Sequence, residues 1–206
     1  MTSAPASATA PLPALPPLYI ALVHHPVRDR GGAIITTSVT NLDVHDIARA
    51  ARSYGVRQYF IVTPIDAQRD LVDHILGYWR EGDGGRRVPE RAEALSLVRA
   101  VVSVEAVFEA IAGANDGQAP LVITTAARAT GVSVRFPAAR ERMVADAPRP
   151  ALLLFGTGYG LADELITRAD IHLEPIRGSS DYNHFAVRTA VAIVLDRLVG
   201  ETVSSR

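Results

Sequence analysis

The chain has 206 residues and a formal net charge of −1, with 48% hydrophobic residues. All 21 basic residues are arginine, and neither lysine nor cysteine occurs. A lysine Schiff base, a P-loop lysine, a cysteine nucleophile, a disulfide and a thiolate metal site are therefore excluded, and every cation is a planar fork suited to phosphate and carboxylate.

In chain order, residues 1–17 (MTSAPASATAPLPALPP) have no basic segment and no continuous apolar core, and read as a disordered tail. Strands are predicted at Leu18–Val23, Gln58–Thr63, Ala100–Ser103, Leu121–Thr125, Ala151–Phe155 and Asp170–Leu173. Helical periodicity lies between them. Asp43–Tyr54 places Ile47, Ala50, Ala51 and Tyr54 on one face, and Ala67–Trp79 does the same with Leu71, Ile75 and Tyr78. Further helices are predicted at Pro89–Leu97, Val104–Ala112, Pro137–Ala145 and Leu161–Arg168, and a last one from Tyr182 to Val199. Strands alternating with helices imply an α/β domain with a parallel sheet covered on both faces. The domain is expected over residues 18–200, with 201–206 a second tail. No apolar run reaches the length of about 20 residues that spans a bilayer, so a cytoplasmic protein without membrane attachment is expected.

Arg80–Arg91, REGDGGRRVPER, reads as a solvated connection in which Arg80, Arg86, Arg87 and Arg91 offer a secondary site for RNA phosphate. Arg28 and Arg30, beside Gly31 and Gly32, would suit an RNA-facing loop. His24, His25 and Asp29 lack metal-ligand spacing, and no metal is expected.

The run ALLLF is followed by glycines 156, 158 and 160, which permit tight turns and close approach to a ligand. A dinucleotide-binding fold places such a loop after its first strand with several βα units behind it. The segment after Gly160 accommodates only one strand and one long helix, so a site built from C-terminal loops is indicated. Glu174–His184 supplies the second loop: Pro175 fixes one turn, Gly178 permits another, and Ser179, Ser180 or Asp181 is placed to cap the final helix. That helix is apolar over more than one face and belongs deep in the core or against a second subunit.

Three blocks, TTSVTNLDVHDIARAARSYGV, LLLFGTGYGLADE and LEPIRGSSDYNHFAVRTAVAIVLDRL, resemble the SPOUT (SpoU-TrmD) superfamily of RNA methyltransferases, in particular a SpoU-like bacterial group of SAM-dependent RNA methyltransferases. The resemblance spans about Leu18 to Gly200. It implies an α/β sheet with a C-terminal trefoil knot, an exception to unknotted chain topology. It also implies S-adenosylmethionine as cofactor, a homodimer as working unit and RNA, in particular tRNA, as substrate.

On this resemblance Phe155, Gly156, Thr157, Gly158, Gly160 and Leu161 form one cofactor loop. Leu173, Pro175, Ile176, Gly178, Tyr182, Asn183 and Phe185 belong to the other, and Thr124, Thr125 and Ala126 flank the pocket. Arg49, six residues before Gly55, corresponds to the arginine that acts on the ribose 2′-hydroxyl, and Asn183 and His184 join it as catalytic candidates. Arginine is a poor base, so His45, Asp46, Asp181 and His184 are the candidate proton acceptors. Asp43 stands where SpoU-like helices usually carry asparagine, and the glycine loop is one residue short and lacks the usual glutamate. Ribose 2′-O-methylation is the main expectation. The alternatives are methylation of a guanine N1-type base nitrogen and a catalytically inactive knotted dimer that binds SAM or RNA.

Overall fold

A computed structural model describes residues 15–127 and 131–200. Of the tails expected at residues 1–17 and 201–206, residues 1–14 and 201–206 lie outside the described residues, while Leu15 packs against the core and Pro17 O accepts from Ala151 N at 2.9 Å.

The chain begins with β1 (Leu18–Val23), followed by a short hairpin of β2 (Val27–Arg28) and β3 (Ile34–Ile35) and then α1 (Asn41–Ser53). Next come β4 (Gln58–Val62), α2 (Asp66–Arg80), α3 (Asp83–Arg87), α4 (Pro89–Leu95), β5 (Val98–Val101) and α5 (Val104–Gly113). The C-terminal part holds β6 (Leu121–Thr124), α6 (Phe136–Ala145), β7 (Ala151–Gly156), α7 (Asp163–Thr167), β8 (Ile171–His172) and α8 (Val187–Val199).

The main sheet has six strands in the order β5-β4-β1-β7-β6-β8, and all of its pairings are parallel. Parallel sheets need cover on both faces. Leu18, Ile20 and Leu22 point into a core shared with α1, α2, α4, α6 and α8. Tyr19, Ala21 and Val23 point the other way, into a core shared with α5 and α7. Strand order reverses between β1 and β7, with β4 on the far side of β1, so a topological switch lies at their carboxyl ends, where ligands bind in open α/β sheets.

Local chemistry sets the ends of α1. Thr40 caps it, accepting from Asp43 N at 3.2 Å and donating to Asp43 Oδ2 at 2.6 Å. At its other end Gly55, at φ +70°, donates to Arg52 O while Val56 donates to Ala51 O, the two bonds of a Schellman termination. The glycine six residues after Arg49 thus ends a helix.

Several sequence expectations shift. The edge strand is Val98–Val101, not Ala100–Ser103. Helix α2 buries Val72 and Leu76, whereas Leu71 and Tyr78 are exposed: its packed face is rotated by one residue, towards the core that holds Ala94 and Leu95 of α4 and Val98 of β5. Arg80–Arg91 is no simple solvated connection. Added Cβ atoms on Gly82 and Gly85 would lie 2.5 Å and 2.4 Å from backbone oxygens of Tyr78 and Trp79, so α3 packs tightly on the end of α2. The final helix starts at Val187, five residues later than expected, and its N-cap Ala186 offers no side-chain bond, so Ser179, Ser180 and Asp181 do not cap it. Gly178 has neither a positive φ nor a close neighbour, so its turn makes no demand for glycine.

The glycine requirement is strict at Gly156. A Cβ there would lie 2.6 Å from Leu161 N and 2.9 Å from Gly160 C, both backbone atoms. Gly156→Ala is expected to destabilise the fold by about 1–3 kcal/mol, read as a lower urea midpoint.

His24, at the end of β1, is only 1% exposed. Burial lowers its pKa from 6.5 to about 4, with the charge of Asp43 opposing the shift. Between these values the unfolded chain binds more protons than the folded one, so stability increases with pH across the interval and is fully present above 6.5. Acidification from about pH 7 to about pH 5 should remove about 2 kcal/mol of unfolding free energy in urea titrations. His24→Gln should flatten that slope.

Candidate functional site at the carboxyl edge of the sheet

The three segments singled out by sequence meet at one edge. The first loop leaves β7 beside the end of β1, where Phe155 pairs with Leu22 and Gly156 with Val23. The end of β6 lies on the other side of β7, and β8 runs beside β6. Leu173 donates to Thr124 O at 2.9 Å, which joins the root of the second loop to the end of β6. Thr124 Oγ1 meets His172 Nδ1 at 2.8 Å, and Thr125 donates its hydroxyl to Leu154 O at 3.1 Å. Ala126 follows directly, and the amide of Asn183 donates to Ala127 O at 2.6 Å, bringing the second loop over the β6 end.

The two loops differ in their support. In the first, Phe155 and Leu161 are buried, and Tyr159 N and Arg28 N exchange bonds with Arg28 O and Gly160 O across to the β2–β3 hairpin. Gly158, at φ +58°, would place a Cβ 2.9 Å from Arg28 O, so its close approach is to this hairpin backbone. Gly160, at φ +110°, completes the turn, and its N–H donates to Thr157 O. Arg28 further ties the hairpin to α7 through an ion pair with Asp163. In the second loop Leu173, Pro175 and Ile176 are buried at the root, whereas residues 177–182 and 184–186 are exposed. Tyr182 and Phe185 present aromatic surface, and the His184 ring lies 5.5 Å from that of Tyr182.

Arg49 is exposed on α1 and has no carboxylate partner among the described residues. Its helix is tied to α8 by Asp46–Arg188 at 3.6 Å and by Tyr54, whose hydroxyl donates to Asp196 at 3.0 Å. Asp46, three residues from Arg49, therefore faces the helix that follows the second loop. Neither Asn183 nor His184 contacts Arg49 in the chain. His45, one turn before Arg49, has its pKa lowered by burial and then by Arg91 and Arg49, which favours its neutral form. Its ring packs edge-on to Trp79 at 5.6 Å, and the Arg91 guanidinium lies over the Trp79 ring at 5.2 Å.

The arginines of the Arg80–Arg91 stretch are largely engaged: Arg80 donates to Val98 O, Arg86 pairs with Asp83 and Arg91 lies on Trp79. A concavity of about 410 Å³ beside them, lined by Trp79, Arg80 and Arg86, is remote from the carboxyl edge.

Sequence reasoning assigned no role to Thr37 or to the buried state of His24, and it read the β2–β3 hairpin only as an RNA-facing loop, whereas Arg28 pairs with Asp163. Asp43, read as a departure from a family asparagine, is 6% exposed and completes the α1 cap. The Thr-x-x-Asp spacing before an apolar helix was the available signal for that cap. The hairpin had only Gly31-Gly32 between short apolar pairs to mark it.

A family model described as SAM-dependent RNA methyltransferase matches residues 17–200. A protein of Oleidesulfovibrio alaskensis named tRNA (guanine-N(1)-)-methyltransferase is 45% identical over 188 residues, covering 90% of this chain but 43% of that protein. The chain thus spans less than half the length of that relative. An uncharacterized protein of Aquifex aeolicus is 42% identical over 181 residues, covering 88% of this chain and 87% of its own length. Among solved structures, the SpoU methyltransferase AviRb from Streptomyces viridochromogenes, in complex with its cofactor AdoMet, superposes with TM-score 0.53 at 17% identity, over 94% of this chain and 60% of that one. This likeness shows that the parallel sheet with its C-terminal loops has the fold of SPOUT methyltransferases. With nearly every described residue inside the matched span, the chain belongs to the family of SAM-dependent RNA methyltransferases.

Proposed function

We propose that this protein transfers the methyl group of S-adenosylmethionine to tRNA, with a guanine base nitrogen of the N1 type as acceptor. The observation that carries the cofactor site is the convergence of the β6, β7 and β8 ends, with their loops, at the strand-order switch. In this reading the first loop, Phe155 to Leu161, and the second, Leu173 to Asn183 with Phe185, hold the cofactor between them, and Thr124, Thr125 and Ala126 close its side. The loops are those that the family resemblance threads through a trefoil knot. The cofactor supplies an electrophilic methyl on a sulfonium, and the chain's task is to position donor and acceptor in line in a pocket of low polarity.

The base acceptor is favoured by the name of the Oleidesulfovibrio alaskensis relative, a tRNA (guanine-N(1)-)-methyltransferase. A guanine N1 nitrogen must lose a proton on methylation, and the exposed second loop offers Asp181 and His184 as acceptors close to the cofactor. Tyr182 and Phe185 offer flat surfaces on which a base can stack. Arg49, without a carboxylate partner among the described residues, serves RNA phosphate or a developing oxyanion.

A second reading, methylation of the ribose 2′-hydroxyl, rests on Arg49 itself, placed one turn after a neutral-favouring His45 on α1. It stays in view because the relative named for guanine methylation extends well beyond the shared part. In both readings the working unit is the homodimer that the family resemblance implies.

Nucleoside mass spectrometry of tRNA incubated with the protein and S-adenosylmethionine separates the readings. The expected product is a guanosine carrying the added methyl on its base. Methyl on the ribose would replace the first reading by the second, and absence of methylation on every RNA, with cofactor binding retained, would leave a binding module. Arg49→Ala is expected to lower turnover about a hundredfold or more, as does loss of one electrostatic donor at a reacting oxygen. Full activity in that variant would remove Arg49 from the site.

A further inference from the structure

Two consecutive histidines end β1, and two consecutive threonines follow the β2–β3 hairpin. The chain folds so that they meet in register: His24 Nδ1 lies 2.9 Å from Thr37 Oγ1, and His25 Nδ1 lies 3.0 Å from Thr36 Oγ1. Thr37 N also donates to His24 O at 2.9 Å, which fixes the inner pair through the backbone. The pairs are chemically alike, but only the inner one continues. Thr37 Oγ1 lies 2.5 Å from Thr157 Oγ1 in the glycine loop, and Thr157 Oγ1 in turn reaches Val23 O at 3.1 Å.

Proton counting gives this chain a direction. Each hydroxyl has one proton to donate. Val23 O is a pure acceptor and takes the Thr157 proton, so Thr37 donates to Thr157 and His24 Nδ1–H donates to Thr37. The imidazole is then neutral with its proton on Nδ1, leaving Nε2 as a bare acceptor. That atom is one of two buried side-chain atoms found without a partner among the described residues, the other being His45 Nδ1. A buried imidazole held neutral is consistent with this arrangement.

The chain reaches the loop where its shape is most constrained. Thr157 lies between Gly156, which tolerates no Cβ, and Gly158, whose αL backbone packs within 2.9 Å of Arg28 O when a Cβ is added. Thr37 Cγ2 is a further neighbour of that position, at 3.6 Å. We propose that Thr37 is a positioning residue which holds the glycine loop in its cofactor-binding shape, His24 orienting the Thr37 hydroxyl from the buried side. The inference rests on the reading of residues 155–161 as a cofactor loop. It assigns to the connection between β1 and α1 a role in a site made of C-terminal loops.

The neighbouring pair supplies the control. Thr37→Val removes the hydroxyl at nearly constant volume, Thr37→Ser retains it, and Thr36→Val makes the same deletion one residue away with no link to the loop. The four proteins, wild type included, are compared by hydrogen exchange of residues 157–160 and by calorimetric titration with S-adenosylmethionine, with thermal melting as a check on folding. Thr37→Val is expected to speed exchange in the loop and to weaken cofactor binding by about tenfold, while Thr37→Ser and Thr36→Val stay within about twofold of wild type. Unchanged exchange in Thr37→Val overturns the proposal, as does faster exchange with undiminished cofactor affinity. An equal loss in Thr36→Val overturns it too, since the effect would then be general loosening. If the wild-type protein itself fails to bind S-adenosylmethionine, the cofactor reading of the loop falls, and the role proposed for Thr37 falls with it, whereas the exchange data still report whether Thr37 holds the loop.

Discussion

The parallel ladder between β1 and β7, which pairs Leu18 with Ala151 and Val23 with Gly156, is the contact on which the candidate site depends. It brings the first strand of the sheet against one from the far end of the chain, at a loop-closure cost that only a long run of buried pairs offsets. All six residues of β1 are buried, as are the first five of β7. Because the strands are parallel, both exits lie on the same edge. The connection to α1 and the glycine loop must therefore share the space above the switch point. The bonds between residues 26–28 and 159–162 result from that crowding, as do the glycines at 156 and 158.

The two loops at this edge have different mechanical characters. The first is braced by backbone bonds, an ion pair from Arg28 and the Thr37–Thr157 contact, so its shape belongs to the folded chain before any ligand arrives. The second is anchored at both ends, through Leu173 to β6 and through Asn183 to Ala127, with an exposed stretch between. Under the proposed function, the braced loop is the one that sets the donor's position and the exposed loop the one that meets the acceptor.

An all-arginine set of cations acquires an unexpected use in this fold. Arg69, Arg80, Arg140 and Arg149 all donate to backbone carbonyls, respectively those of Thr63, Val98, Leu198, and Ala119 with Pro120. A guanidinium has five donors in a fixed fork and can satisfy carbonyls at strand and helix ends while remaining charged. Many of the arginines therefore fasten the protein to itself. Arg49, which lies outside these clamps, stands out more clearly than composition could make it.

The sequence by itself determined the class of fold and the positions of the loops. Short apolar runs such as LYIALV and ALLLF, alternating with amphipathic stretches, read as strands buried on both faces with helices covering them. The order of glycines after ALLLF, with one more strand and helix beyond, placed the candidate cofactor site at C-terminal loops. The Arg49-to-Gly55 spacing was visible, but not that Gly55 ends α1 in a Schellman turn. Periodicity misplaced the buried face of α2, because Leu71 and Val72 are similarly apolar and only packing against α4 and β5 decides which is covered. It also began α8 too early, since Tyr182 and Phe185 look like core residues until tertiary packing leaves them exposed. The pairing of His24 with Thr37, and of Thr37 with Thr157, was decided by the tertiary structure alone. The β2–β3 hairpin turns Thr37 back onto His24, and only the adjacency of β1 and β7 brings Thr157, 120 residues further along the chain, within hydrogen-bond reach of Thr37.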